Sequence, residues 1–332
     1  MKDLAKHLGV SVSTVSRALN NHSDIHTETK KQVLEAVQKF NYRPNSIARS
    51  LIQRKTFTVG LMVPDIADPF FSNIAVGVEE VFTNSGYQVV YGNTMRNKEK
   101  ELQFIESVFE RKMDGVIVTP DHVDEELISL LNRLEVPIVF LRRRTPSEIK
   151  APFVDVDHYT GACEAVSYLI ENGHKEIGFL AMTQDSFVSK ERLRGYLDTM
   201  RKHSLQPDEN SIVTAGRTIE SGRIAMEELY RKYPHLTAVF ASNDLLGIGA
   251  LEWLAIKDIK VPEQISIIGF DDLVFSSLYW IQLTTMAQPR KKMGRFAADL
   301  LLKMINGSED SESVLLHAKL VERKTIKVVT AV

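Results

Sequence analysis

The sequence predicts an α/β protein: a small three-helix head containing a helix-turn-helix, then a body of two lobes, each a parallel sheet covered by helices. Three observations carry this. Residues 1–55 hold ten Lys/Arg against four Asp/Glu, a net +6, while the remainder holds 31 against 39, a net −8. An acidic body with a basic head is the electrostatic footprint of a nucleic-acid binder. The first forty residues space their apolar side chains helically and break at a glycine, whereas from residue 56 short β-branched runs alternate with helical stretches, twice over. With 332 residues, 44% of them hydrophobic, the chain is long enough for such a division and for a substantial core.

The head begins with "MKDLAKHLGVSVSTVSRALN", in which Leu4, Ala5 and Leu8 share one helical face and Val15, Ala18 and Leu19 another. Gly9 between them supplies the positive-φ turn, Ala5 is small where two helices would cross, and Val15 plugs the joint. With Leu4, Ala5, Leu8, Val10, Val15 and Leu19 inside, Val12, Ser13, Ser16 and Arg17 are expected to face outward, and with Thr14 and Asn20 they are candidates for touching DNA. Arg17 suits a bidentate bond to a guanine edge in the major groove, Ser13 a phosphate or base, and Val12 a thymine methyl. A third helix, "TETKKQVLEAVQKF", takes Thr27 as its expected N-cap and Val33, Leu34, Val37 and Phe40 as its inner face.

"NYRPNSIARSLIQRK" follows. Pro44 and Asn45 can start a short helix, but one this short needs a partner to hold it in water. Its basic residues, and Leu51 as an apolar wedge, suit a hinge that folds in the minor groove when two copies meet on DNA. Asn45, Ala48, Arg49 and Leu51 are the candidates there. The expected division is 1–43 for the DNA-binding domain, 44–55 for the hinge and 56–332 for the body.

In the body the first series of strands and helices runs "TVGLMVP", "FFSNIAVGVEEVFTNSG", "YQVVYGN", "KELQFIESVFERK", "DGVIVTP", "ELISLLNRL" and "PIVFLRR". After "FVDVDHYTGACEAVSYLIENG" the same grammar restarts at "EIGFLAM" and ends at "ISIIGFDD". Open parallel sheets bind ligands beyond the carboxyl ends of their strands, and two facing lobes make a cleft that closes, so a small-molecule effector is expected there. Strand ends nominate Asp271, Asn243, Arg142 and Arg143, and the loop after the first strand nominates Phe70 and Phe71.

"KDLAKHLGVSVSTVSRALN", "YRPNSIARSL", "GHKEIGFL", "RLRGY", "ASNDLLGIGAL" and "ISIIGFDD…LTTMAQP", in this order and at this spacing, resemble successive motifs of the lactose/galactose repressor (LacI/GalR) family of bacterial transcription regulators, over nearly the whole chain. The resemblance implies a periplasmic-binding-protein-like (type I) body. Its first lobe would cover about 56–157 and 286–318, its second about 158–285 and 319–332. It also implies that Arg192, which opens "RLRGY", and Asp271 clamp the effector by charged hydrogen bonds, with an aromatic from Phe70 and Phe71 packing on its ring. Two such groups suit a polyol, since each takes two hydroxyls. The resemblance departs at "LRRRT": similar regulators often carry an acidic residue where Arg142 stands, which points to an anionic effector such as a sugar phosphate or sugar acid.

Other functions find little support. "GIGA" is not a dinucleotide loop, no phosphate-binding "GKT" or "GKS" occurs, and the histidines lack metal-ligand spacing, so neither catalysis, cofactor nor metal is expected. His7, His22, His26, His174 and His203 are read as surface or capping residues, and Cys163, the single cysteine, as a neutral thiol with no disulfide partner. The apolar runs are too short to span a bilayer and no signal-peptide core opens the chain, so a cytoplasmic protein is expected rather than an exported solute receptor. The expected function is a homodimeric, sequence-specific repressor. It would read a palindromic operator in double-stranded DNA, under the control of a sugar, sugar phosphate or sugar acid.

Overall fold

The computed structural model describes residues 2–19, 24–40, 55–183, 186–308 and 311–329, except for the side chains of Lys2 and Ser16. Residues up to Phe57 form one compact unit and those from Thr58 another.

Three helices make the first unit: α1 (Lys2–Leu8), α2 (Val12–Leu19) and α3 (Thr27–Lys39). Gly9 takes the left-handed φ of 67° that the sequence requires of it, and Val10 N–H bonds back to the Ala5 carbonyl at 3.1 Å. Ser11 then starts α2, its Oγ accepting from Thr14 N–H at 3.0 Å. Leu4, Ala5, Val15, Ala18, Val33 and Ala36 form the buried centre, with Leu8, Val10, Leu19, Ile25 and Val37 packed around it. Two expectations for α3 fail. The residue before the helix proper is His26, with no side-chain cap, rather than Thr27. Leu34 is 44% exposed and Phe40 50% exposed. The face that meets α1 and α2 is Val33–Ala36–Val37, which puts Leu34 about 100° round the helix; Phe40, past its end, packs edge-on to His7 at 4.6 Å.

The second unit contains two six-stranded sheets. The first takes β1 (Thr58–Val63), β2 (Gln88–Asn93), β3 (Val116–Val118), β4 (Ile138–Leu141), β5 (Phe153–Val156) and β11 (Val314–Leu316), in the order β11-β5-β4-β3-β1-β2 and parallel throughout. The second takes β6 (Ile177–Ala181), β7 (Ile212–Thr214), β8 (Ala238–Ala241), β9 (Ser266–Asp271), β10 (Thr284–Ala287) and β12 (Lys319–Val321), in the order β12-β10-β9-β8-β6-β7. Only the edge strand β12 runs antiparallel, against β10. The chain passes between sheets three times: after β5, after β10 and after β11.

Helices α4 (Pro69–Asn84), α5 (Lys98–Glu110), α6 (Glu125–Asn132) and α11 (Arg290–Ile305) cover the first sheet; α7 (His158–Glu171), α8 (Phe187–Lys202), α9 (Ile219–Lys232) and α10 (Asp244–Ile256) cover the second. The inner strands β1, β3, β4, β5, β6, β8, β9 and β10 are buried on both faces, which is why they read as unbroken apolar runs rather than alternating ones; the edge strands are partly exposed. α4 and α11 approach backbone to backbone: a Cβ on Gly77 would collide with the Lys291 carbonyl, and one on Gly294 with the Ile74 carbonyl. That contact fastens the late helix α11, some 200 residues downstream, to the first lobe. His174 corrects another expectation, for it is fully buried, its Nδ1 3.0 Å from Thr237 Oγ1. Among the described residues no helix is long and apolar enough to cross a membrane.

Candidate functional site

In the head, α2 presents Val12, 41% exposed, together with Ser13 and Arg17. Thr14 is half-buried, its Oγ1 2.8 Å from Ser11 Oγ. Arg17 is paired with Asp24. The candidates Ser16 (by its side chain), Asn20, Asn45, Ala48, Arg49 and Leu51 lie outside the described residues.

The body builds its site from strand ends. On the second lobe Arg192, in the second turn of α8, is completely buried, and its guanidinium lies over the Phe270 ring, 3.7 Å from the centroid. Nη1 donates to the Ser242 carbonyl; Nη2 lies 3.2 Å from His158 Nδ1 and 3.4 Å from Asp271 Oδ1. Asp271 ends β9 with φ at 128°, and Asp272 follows at 55°, so two consecutive non-glycine residues have strained backbone where β9 leaves the sheet. Gln288 Nε2 donates to the same Oδ1 at 2.6 Å. Burial pushes the Asp271 carboxyl up to about 7, despite the pull of Arg192; burial likewise lowers Arg192 to about 10, despite the pull of Asp271. In both, desolvation outweighs attraction. Asn243 caps α10, its side-chain oxygen accepting from Leu246 N–H at 2.8 Å, which leaves its amide group turned toward Met182 Sδ.

On the first lobe Asp68 caps α4 by accepting from Phe70 N–H at 3.0 Å. This sets Phe70 and Phe71 side by side, both buried, edge-to-face at 5.2 Å. Arg142 sits in the turn after β4 with φ at 63°, its guanidinium carbon 4.9 Å and 5.5 Å from the two ring centroids. Arg143 donates from Nη1 to the Pro120 carbonyl at 2.9 Å. The "LRRRT" turn is therefore half-buried at Arg142 and Arg143, and of its three arginines only Arg144 is exposed.

A model described as periplasmic binding proteins and sugar binding domain of LacI family matches residues 56–324, and one described as bacterial regulatory proteins, lacI family, matches residues 1–45. The chain belongs to the LacI family. Its sequence is 33% identical to catabolite control protein A of Priestia megaterium over 98% of each chain, and 34% identical to the transcriptional repressor CytR of Escherichia coli K12 over 97% of this chain and 95% of that one. Its fold is similar to that of the lac repressor dimer bound to operator and the anti-inducer ONPF, with a TM-score of 0.89 at 26% identity over 98% of each chain. It is also similar to the transcriptional regulator CelR in complex with cellobiose, with a TM-score of 0.76 at 31% identity over 97% of this chain and 98% of that one.

Several residues beside these strand ends escaped the sequence reading. Asp121, in the loop after β3, receives Arg96 Nη1 at 2.8 Å and lies 3.5 Å from Arg217 Nη1 of the other lobe. Arg96 Nη2 reaches Asp68 at 3.1 Å. Glu101, buried under that loop, accepts from the N–H groups of Asp121 and His122 and so fixes its shape. His158, fully buried at the start of α7, stands between Arg192 and Asp155, whose Oδ1 is 3.3 Å from His158 Nε2; burial lowers it below the ordinary histidine value and keeps the imidazole neutral. A signal for Asp121, Arg96 and Arg217 existed: "VTPD", "YGNTMR" and "VTAGR" also continue the ends of strands.

Proposed function

We propose that this chain is a cytoplasmic, homodimeric repressor that reads a palindromic operator through α2, with affinity set by a sugar or sugar derivative held between its lobes. The observation that carries the effector half is the buried Arg192–Asp271 pair at the strand ends of the second lobe, in a unit where the first lobe supplies the Phe70–Phe71 platform. Each member of the pair retains hydrogen-bonding capacity for adjacent hydroxyls, and rings of that kind cover the apolar face of a sugar. The DNA half rests on the exposed set Val12, Ser13 and Arg17, on the basic head and on the match to the regulatory family over residues 1–45.

Dimerisation follows from what an operator palindrome demands and from an exposed apolar surface on the second lobe. Exposed Ile219, Tyr279 and Trp280 line a groove of about 710 Å³ there. The lac repressor, similar in fold, is a dimer on its operator. Pairing would bring two hinges together, where Asn45, Ala48 and Arg49 would contact DNA and paired Leu51 side chains would open a central base step. Binding of an effector changes the angle between lobes and hence hinge spacing, and linkage requires DNA to alter effector affinity by the same factor.

The test is selection of duplexes from a random pool by the full-length protein. Enrichment of a palindrome whose retention changes on adding a sugar or sugar derivative is the expected result. Enrichment of no sequence, with or without candidate ligands, would overturn the reading.

A further inference from the structure

The mouth of the cleft carries more positive charge than its acids neutralise. Arg96 and Arg217 share Asp121, and Arg96 also takes Asp68. Arg143 bonds a carbonyl rather than a carboxylate. Arg142 has two aromatic rings beneath it and, among the described residues, no carboxylate within ion-pair distance. The Nε atoms of Arg142, Arg143 and Arg217 are all enclosed and without a hydrogen-bond acceptor, and leaving such donors unmet is costly.

The local field agrees. Burial alone would raise the Asp121 carboxyl, yet Arg96, Arg217 and Arg142 together hold it below the ordinary range. Burial first, and then repulsion from Arg96, pulls Arg217 down to about 10. Each is the response of a group in surroundings short of negative charge.

A small cavity joins the two lobes here, lined by Asp121, Arg142 and Arg143 from the first and by Ser186, Phe187 and Val188 from the second. The last three open α8, a sixteen-residue helix whose N-terminal N–H groups add further positive potential on that side.

Resting on the repressor reading above, we infer that the effector is an anionic sugar derivative whose carboxylate or phosphate is received by Arg142, while Arg192 and Asp271 take its hydroxyls. An oxyanion on Arg142 supplies the anionic partner that its guanidinium lacks, and the Phe70–Phe71 platform fixes the guanidinium plane that meets it. A neutral sugar would leave the excess charge of the mouth unmatched.

The experiment measures thermal stabilisation and calorimetric affinity of the full-length protein with matched ligands: glucose, gluconate and glucose 6-phosphate; ribose and ribose 5-phosphate; and inorganic phosphate alone. At least one anionic member should bind about tenfold or more tightly than its neutral parent, with the preference shrinking as salt rises. Arg142→Asn, chosen because asparagine tolerates the left-handed φ of this position, should abolish that preference, so that anionic and neutral members bind the variant with equal affinity. Arg142→Lys, which restores a positive charge, should recover part of it. Preference for gluconate places a carboxylate at Arg142, and preference for a phosphate ester places a phosphate there. Equal affinity for neutral and anionic members, an anion preference that survives Arg142→Asn, or no stabilisation by any anion including inorganic phosphate would overturn the inference. Duplex selection with the same preparation separates the two readings. An enriched palindrome beside any of those results leaves the repressor standing without an anionic effector, whereas failure of enrichment strikes the repressor reading itself.

Discussion

Two arginine–aspartate pairs in this molecule have the same chemistry and opposite surroundings. Arg17 and Asp24, in the head, are paired with side chains 52% and 47% exposed; Arg192 and Asp271, in the body, are paired at 1% and 9%. In water the first pair gains little and is lost at little cost, so Arg17 is free to exchange Asp24 for another partner, which in the proposed function is a guanine edge. In the protein interior the second pair has surrendered its hydration, which pushes both partners toward their neutral forms, and it is held by Ser242, Gln288 and the ring of Phe270. An exposed pair is an exchangeable contact, whereas a buried one is a fixed frame.

The largest effect that separates the pairs is expected from Asp271→Ala, which leaves the Arg192 guanidinium buried without its carboxylate. Denaturant unfolding should show a loss of about 3–5 kcal/mol, and the effector response should vanish while DNA binding without effector remains measurable. Arg17→Ala, by contrast, should leave stability nearly unchanged and relax base preference at one operator position by roughly 1–3 kcal/mol in a binding assay across single-base variants. An unchanged preference profile would remove α2 from the role of reading helix.

The next test uses pH. In the native protein Asp271 holds its proton up to about 7, against 3.8 for the free side chain, so between those values the folded chain keeps a proton that the unfolded chain has released. Its contribution to stability is therefore complete below about pH 4 and is lost as pH rises through about 7, with a slope of at most about 1.4 kcal/mol per pH unit. Asp271→Asn should flatten that part of the profile; an identical slope in the variant would mean that other groups produce it. The smallest effect is expected from Asp24→Ala, with stability unchanged to within about 0.5 kcal/mol and operator affinity equal or tighter, because Arg17 is released. A larger destabilisation would show that the exposed pair also holds the head together.

Particular residues show how far the site could be read from the chain alone. Leu4, Ala5, Gly9 and Val15 announced the helix-turn-helix because a helical face and a left-handed turn are local properties, set by spacing and by the absence of a Cβ. Leu34 and Phe40 were misread because the stripe of α3 that meets its neighbours is chosen by how three helices dock, and that stripe is Val33, Ala36 and Val37. Asp271 and Arg142 were found from the ends of strands. Arg96, Asp121 and Arg217 obey the same rule and were missed, since they matter only where three loops from two lobes converge. His158 gave no sign of its importance in "VDVDHYT"; it became part of the site when α7 placed its first residue between Arg192 and Asp155.

By itself, then, the sequence determined the elements and their kinds: a basic helical head, two runs of β-branched strands and the turns between them. Local backbone preferences and hydrophobic periods act over a few residues and leave their mark in the order of the letters. The tertiary structure alone decided which charges are matched. Whether an arginine is exchangeable like Arg17, framed like Arg192 or left on an aromatic platform like Arg142 depends on burial and on partners up to about eighty residues away, which is the span separating Arg192 from Asp271.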